Sequence, residues 1–108
     1  MAYKIRAIIK RPDEPFGHMT NISNTLANLQ NTVGGYIETI TIRDGLVIVC
    51  NEEGKLKGLA PNFRIPGDEI VGTVIICGEK PGEDGDEFCD IPIEFAEWKE
   101  YLKRWREA

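Results

Sequence analysis

The sequence contains few of the residues from which catalytic and metal sites are usually built. Its 108 residues include a single histidine, His18, and three cysteines, Cys50, Cys77 and Cys89, with no Cys-x-x-Cys spacing. A structural zinc site needs four closely placed ligands, and a histidine base needs a positioned partner in a pocket. We therefore predict no metal, no cofactor and no catalytic residue, with His18 solvated in a loop and Cys50 and Cys77 buried as small hydrophobic side chains.

The chain also lacks long apolar segments and an excess of positive charge. Its apolar runs, such as LVIVC, are far shorter than the roughly 20 residues that span a bilayer, so no membrane contact is predicted. The N-terminus shows no signal-peptide pattern, and a cytoplasmic location is expected. The formal net charge is −5. Direct duplex DNA binding is not expected, because it relies on Lys and Arg to neutralise phosphates.

The hydrophobic pattern predicts one α+β domain over residues 1–108. It has a mostly antiparallel sheet of four to five strands and two helices, in the order β-α-β-β-(β)-β-α. The run LVIVC shows no alternation, which is typical of a strand buried on both faces at the centre of a sheet. The predicted strands are residues 3–10, 36–42, 46–50, a brief 56–59 and 70–77, and the predicted helices are residues 21–33 and 91–106.

Apolar spacing and capping residues support both predicted helices. In the first, Ile22, Leu26, Leu29 and Val33 form one stripe, and Gly34-Gly35 supplies the left-handed stop. In the second, Asp90 is a candidate cap, and the stripe consists of Phe95, Trp98, Leu102 and Trp105.

Turn residues set the predicted connections. Asp44-Gly45 favours a tight hairpin. Residues 11–20 are predicted to be a loop, and Pro61 and Pro66 are predicted to prevent regular pairing before Ile70. Residues 79–90 are predicted to be a solvated acidic loop. In the first strand, Lys4, Arg6 and Lys10 lie on one face, with Ile8 as the exception to the alternation.

The turn-rich segment 51–73, held between two apolar runs, is the best candidate for a binding site. Lys55 and Arg64 carry donors suited to phosphate or carboxylate, and Asn51 and Asn62 can both donate and accept. The alternative is that its polar side chains complete the backbone hydrogen bonds of tight turns. The candidate ligand-binding residues, including a tyrosine that could stack under a ring, are Lys55, Asn62, Arg64, Asp68, Asn51 and Tyr36.

Three stretches, VGGYIETI, GLVIVCNEEGKLKGLAPN and IPGDEIVGTVIICG, resemble an uncharacterised domain family. That family is found in phages, plasmids and conjugative elements of Firmicutes and other gut bacteria, often among antirestriction and other accessory genes. The resemblance carries no agreed activity and therefore implies no catalytic residue.

The resemblance implies a non-enzymatic accessory protein of a phage or mobile element, with a counter-defence role. One hypothesis is that the chain binds and sequesters a nucleotide-derived immune signal, as a homo-oligomer, because one small domain offers little depth. The alternative is a protein-binding inhibitor of a host defence enzyme or CRISPR effector, which uses an acidic surface against a basic channel. An enzyme is disfavoured, because no activated nucleophile or matched acid–base pair is evident.

Overall fold

The computed structural model describes residues 3–107, which form eight strands and two helices. All strand pairs are antiparallel, so the predicted α+β class is confirmed, although the predicted strand count was too low. The strands are β1 (Lys4–Lys10), β2 (His18–Ser23), β3 (Ile37–Arg43), β4 (Leu46–Asn51), β5 (Pro61–Ile65), β6 (Asp68–Val71), β7 (Val74–Gly82) and β8 (Gly85–Cys89), and the helices are α1 (Leu26–Val33) and α2 (Phe95–Glu107).

The main sheet has six strands in the order β2-β1-β7-β4-β3, with β8 paired to β7. Every residue of β4 is buried, which confirms the central position predicted from LVIVC. The first half of β7 pairs with both β1 and β4, so that Ile76 lies between Ile8 and Ile48. The second half of β7 extends beyond this core and pairs with β8.

Both faces of the main sheet are covered. On one face, Leu29 of α1 packs in a cluster with Val47 of β4. On the other face, Ile70 of β6 and Trp98 of α2 pack in a second cluster with Ile48. Burial on both faces explains why β4 is apolar without alternation.

The first helix is shorter than predicted. Strand β2 begins at His18, so the loop predicted for residues 11–20 ends at residue 17, and residues 21–23 continue the strand, where Ile22 lies opposite Ile5 of β1. The helix begins at Leu26, and the side chain of Thr25 caps it by accepting from the backbone N–H of Asn28 at 3.1 Å. Ile22 is buried in the strand as it would be in a helix, so its apolar character could not distinguish the two. The predicted stop is confirmed, since Gly34 has a φ of +84°.

The prolines of the turn-rich segment flank a hairpin instead of preventing one. Pro61 is the first residue of β5, and Pro66 lies in the turn to β6 beside Gly67, whose φ is +81°. A proline at the start of a strand removes no interior ladder bond. The prediction of no regular pairing before Ile70 was therefore wrong.

The predicted strands at residues 56–59 and 70–77 also differ from the structure. Residues 56–58 lie in turns. The run at residues 70–77 is divided at Gly72, which has a φ of +74° and separates β6 from β7. A Cβ at Gly72 would lie 2.7 Å from Cδ1 of Leu59, so the chain folds back on itself at this point.

The acidic segment is a hairpin rather than a loop. Residues 79–82 continue β7, and Gly82 pairs with Gly85 at the start of β8. Exposed charged side chains on both strands hid the strand pattern. Asp90 does not cap α2: its carboxylate accepts from the backbone N–H of Arg6 at 2.8 Å. The helix begins at Phe95, and its predicted apolar stripe is confirmed.

Candidate ligand-binding site

A cleft of about 580 Å³ opens between the β5–β6 hairpin, the loop that follows β1, and α2. We call it the Lys10 cleft. Its volume falls within the range of roughly 300–1,000 Å³ that is usual for small-molecule sites. The residues that define it are Lys10, Phe16, Asn62, Phe63, Arg64, Trp105 and Arg106.

Lys10 is the buried cation of this cleft. It is the last residue of β1, and its side chain is only 3 % exposed. Its Nζ donates to Oδ1 of Asn62 at 2.5 Å and lies 5.5 Å from the ring centroid of Phe63. Lys10 forms no ion pair with any residue from 3 to 107. Burial lowers the pKa of Lys10, and Glu14 and Asp13 oppose that effect at longer range.

Asn62 connects the hairpin to the main sheet and orients the Lys10 side chain. Its Nδ2 donates to the carbonyl oxygens of Lys10, at 3.0 Å, and Gly72, at 2.8 Å. Its Oδ1 accepts from the Lys10 ammonium. Both amide protons and the amide oxygen are therefore used within the protein. The contribution of Asn62 to the cleft is therefore the position that it gives to Lys10.

Aromatic rings form one wall of the cleft. Phe63 and Trp105 are parallel within 4°, with centroids 5.9 Å apart. Trp98 lies edge-on to both rings and is fully buried. Its Nε1 donates to the carbonyl oxygen of Phe16 at 2.9 Å, which fixes the loop on the opposite side. Trp98 is thus a core residue, whereas Trp105 is half-buried and faces the cleft.

The charge of the cleft is opposite to that of the whole chain. Its charged lining residues are Lys10, Arg64 and Arg106, and none is acidic, although the net charge of the protein is −5. Arg64 and Arg106 are exposed and form no ion pair in the described range. A concentration of positive charge between low-dielectric walls attracts anions. The cleft is therefore suited to an anionic ligand.

Two of the predicted binding residues neutralise each other elsewhere. Lys55 and Asp68 form an ion pair beside a second cleft, of about 310 Å³. The hydrogen bond between them raises the pKa of Lys55 and lowers the pKa of Asp68. Neither side chain lines the Lys10 cleft.

Asn51 and Tyr36 lie at the end of α1, also away from the Lys10 cleft. Asn51 is buried, its Nδ2 donates to the carbonyl oxygen of Val33 at 3.2 Å, and its Oδ1 accepts from the N–H of Glu53 at 2.8 Å. Tyr36 is 67 % exposed beside Gly35. Of the six predicted residues, only Asn62 and Arg64 lie together in the Lys10 cleft.

Apart from Phe63, the cleft residues that the sequence did not predict come from the two ends of the chain. Lys10 lies on the same face of β1 as Arg6 and Ile8, as the alternation predicts. The apolar Ile8 was the signal that this face becomes covered towards the end of the strand. Trp105 and Arg106 belong to a helix whose partner surface, the β5–β6 hairpin, was not predicted.

The remaining reactive side chains do not gather into a site. Cys50, Cys77 and Cys89 form no disulfide, and burial raises the pKa of Cys50 and Cys77 to about 12. Both thiols are thus protonated and unreactive near neutral pH. His18 is exposed at the start of β2, with Nδ1 3.1 Å from Oε2 of Glu14. No group of three or more His, Cys, Asp or Glu residues within 3–107 is arranged to hold a metal ion.

Neither α1 nor α2 is long and apolar enough to cross a membrane.

Comparison with known proteins gives one result. A family model described as a domain of unknown function (DUF3846) matches residues 5–106. This match confirms the resemblance to an uncharacterised domain family, and it includes all the residues that define the Lys10 cleft. No curated protein and no solved structure matches the chain.

Proposed function

The chain belongs to the DUF3846 family, a domain of unknown function, and we propose that this member binds and sequesters a small nucleotide-derived anion in the Lys10 cleft. The observation that carries the proposal is that three cations, no anion and two aromatic rings, Phe63 and Trp105, line the same cleft. Arg and Lys bind phosphate oxygens, and aromatic rings stack on nucleobases.

The proposed role is binding without catalysis. Hydrogen-bond donors and rings line the cleft, and no Asp, Glu, His, Cys or Ser is among its lining residues. These groups suit recognition of a phosphate and a flat ring. Sequestration requires tight binding alone, and a cleft of about 580 Å³ holds a ligand of nucleotide size.

The biological setting we propose is counter-defence by a phage or other mobile element, in the cytoplasm of the bacterial host. The bound molecule would then be a nucleotide-derived immune signal. The support for this setting is the sequence resemblance, which implies a family carried by phages, plasmids and conjugative elements. We also propose a homo-oligomer, because a second copy over the open cleft would bury more of the ligand than one domain does.

The test is titration calorimetry and thermal denaturation of the purified protein with a panel of mononucleotides, cyclic nucleotides and ADP-ribose. We expect at least one nucleotide to raise the unfolding temperature and to change the tryptophan fluorescence, because Trp105 lines the cleft. Arg64→Ala and Arg106→Ala should each weaken binding about tenfold, because each removes a charge-assisted hydrogen bond. Lys103→Ala is the matched control, since Lys103 is an exposed α2 cation outside the cleft.

The proposal fails if no nucleotide stabilises the wild-type protein. It also fails if Arg64→Ala and Lys103→Ala have the same effect on binding.

The β7–β8 hairpin supports a second candidate function, that of a protein-binding inhibitor of a host defence enzyme or CRISPR effector. The hairpin carries four exposed carboxylates, at Glu83, Asp84, Asp86 and Glu87, and within residues 3–107 the strand β8 pairs with β7 alone. The Lys80–Glu87 ion pair, at 3.6 Å, offsets one of them. An acidic projection of this kind complements a basic nucleic-acid channel.

This second function predicts a stable complex with a basic host protein and no stabilisation by nucleotides. Glu83→Lys combined with Asp84→Lys should abolish the complex, because the change reverses the charge at the tip of the hairpin. Persistence of the complex in that variant would count against the acidic surface.

A further inference from the structure

Lys10 is the one charged side chain that is buried among residues 3–107. Buried charges in proteins are normally paired with an opposite charge, because desolvation is costly. The hydrogen-bond acceptor of the Lys10 ammonium is the neutral amide oxygen of Asn62. An ammonium group has three donors, and Asn62 is the single acceptor found for it in the described part of the chain. Lys10 therefore has capacity for an oxyanion.

The cations of the cleft differ in how a ligand can reach them. Arg64 and Arg106 are exposed, so a ligand can approach them from the side. Lys10 is 3 % exposed, and the Phe63 ring lies beside its ammonium. A ligand can reach Lys10 only with a narrow group at its end.

A terminal phosphate meets this requirement. It presents three oxygens with no substituent beyond them, and a phosphomonoester carries a charge of about −1.5 to −2 at pH 7. A ring-closed phosphodiester has a carbon substituent on both sides and a single negative charge. The burial of Lys10 therefore favours the terminal phosphate by its shape. The positive charge of Lys10, Arg64 and Arg106 favours it by its charge.

Resting on the proposed function, we infer that the Lys10 cleft selects nucleotides with a free terminal phosphate over ring-closed phosphodiesters. The phosphate enters first and receives hydrogen bonds from the Lys10 ammonium. Arg64 and Arg106 contact the phosphate oxygens that face away from Lys10. The sugar and base then lie towards the rim of the cleft, beside Trp105. The ligand class is a nucleoside mono- or polyphosphate.

The experiment compares matched pairs that share a base and a ribose: each nucleoside 5′-monophosphate and its 3′,5′-cyclic monophosphate. Calorimetry on the wild-type protein should show the 5′-monophosphate binding about tenfold or more tightly than its cyclic partner. Lys10→Met keeps a side chain of similar length without the charge and should bring the ratio close to one. Lys10→Gln is the second variant in case Lys10→Met does not fold.

The outcomes separate the two proposals. If both members of a pair bind equally, and Arg64→Ala weakens both, the cleft is a nucleotide site but the terminal-phosphate inference is wrong. The inference is also wrong if the Lys10 variants keep the full discrimination. If neither member of any pair binds the wild-type protein, the proposed function fails and the inference fails with it.

Discussion

Asn62 contacts Lys10 through both its amide oxygen and its amide nitrogen. Oδ1 accepts from the buried ammonium at 2.5 Å, and Nδ2 donates to the backbone carbonyl oxygen of the same lysine at 3.0 Å. The second amide proton reaches the carbonyl oxygen of Gly72. One side chain from the β5–β6 hairpin thereby fixes the end of β1 and the only buried charge of residues 3–107.

Asn62→Ala should destabilise the protein more than an ordinary surface change. It removes three hydrogen bonds and leaves the Lys10 ammonium without its acceptor. A buried polar group left without a partner costs about 1–3 kcal/mol, and urea denaturation should show a loss of that size. Asn31→Ala, at an exposed site in α1, is the control and should change stability by less than about 0.5 kcal/mol. Equal losses in the two variants would contradict the role assigned to Asn62.

Lys10 should make stability depend on pH in a defined direction. Burial lowers the pKa of Lys10 in the folded state below its ordinary value of 10.5. The unfolded chain therefore binds more protons between the folded-state pKa and pH 10.5, and the contribution of Lys10 to the free energy of unfolding increases as pH rises through that window. Below the window both states are protonated, and the full cost of burying the charge is present. Glu14 and Asp13 reduce the size of this effect, because their negative charges raise the pKa of Lys10.

The measurement is the difference in unfolding free energy between the wild type and Lys10→Met at several pH values from neutral to 10.5. Wild-type data alone would be confounded by Cys50 and Cys77. Their pKa of about 12, against 9.0 for an ordinary thiol, causes stability to decrease above pH 9. Both proteins share these thiols, so the difference isolates Lys10. We expect the unfolding free energy of the wild type to increase relative to that of Lys10→Met as pH rises. A difference that stays constant with pH would refute the lowered pKa of Lys10.

Features of the fold that depend on local pattern could be predicted from the sequence. The run LVIVC gave the buried central strand, Asp44-Gly45 gave the β3–β4 turn, and Gly34 gave the end of α1. Each of these depends on residues within a few positions of one another. The β5–β6 hairpin could not be predicted because its prolines obscured the strand pattern and because it packs against α2, which is distant along the chain. The β7–β8 hairpin could not be predicted because exposed charges on both strands hid their alternation.

The site could be predicted only in part, for a related reason. Asn62 and Arg64 were identified because polar donors in a turn-rich segment are a local signal. Lys10 is 52 residues from Asn62 along the chain, and no spacing rule connects them. The second cleft beside Lys55 illustrates the opposite case, in which suitable residue types lie close together but satisfy one another.

Gly17→Ala should be more destabilising than Gly67→Ala, although both glycines adjoin the cleft region. Both have left-handed backbone angles, with φ of +79° and +81°, so both substitutions carry a strain of roughly 1–2 kcal/mol. A Cβ at Gly17 would also lie 2.5 Å from the carbonyl oxygen of Ile9 and 2.8 Å from Cβ of Lys10, whereas Gly67 has no atom within 4 Å of that position. The clash should therefore add about 1–3 kcal/mol to the loss of unfolding free energy in Gly17→Ala, measured by urea denaturation.

Gly17→Ala should also weaken nucleotide binding, because the loop that carries Phe16 must move away from β1. Gly67→Ala serves as the matched control for backbone strain. If the two variants lose the same stability, the loop is not packed against β1 as described.

Asn51→Ala and Lys55→Ala distinguish the Lys10 cleft from the site predicted by sequence alone. Asn51→Ala removes both hydrogen bonds of a buried side chain and should cost about 1–3 kcal/mol of stability. Lys55→Ala removes an exposed ion pair and should leave the unfolding temperature nearly unchanged. Neither residue lines the Lys10 cleft, so neither change should alter the Kd for a nucleotide that Arg64→Ala weakens. The measurement is calorimetry on the folded variants. If Lys55→Ala weakens nucleotide binding as much as Arg64→Ala does, the binding site is the cleft beside Asp68 instead.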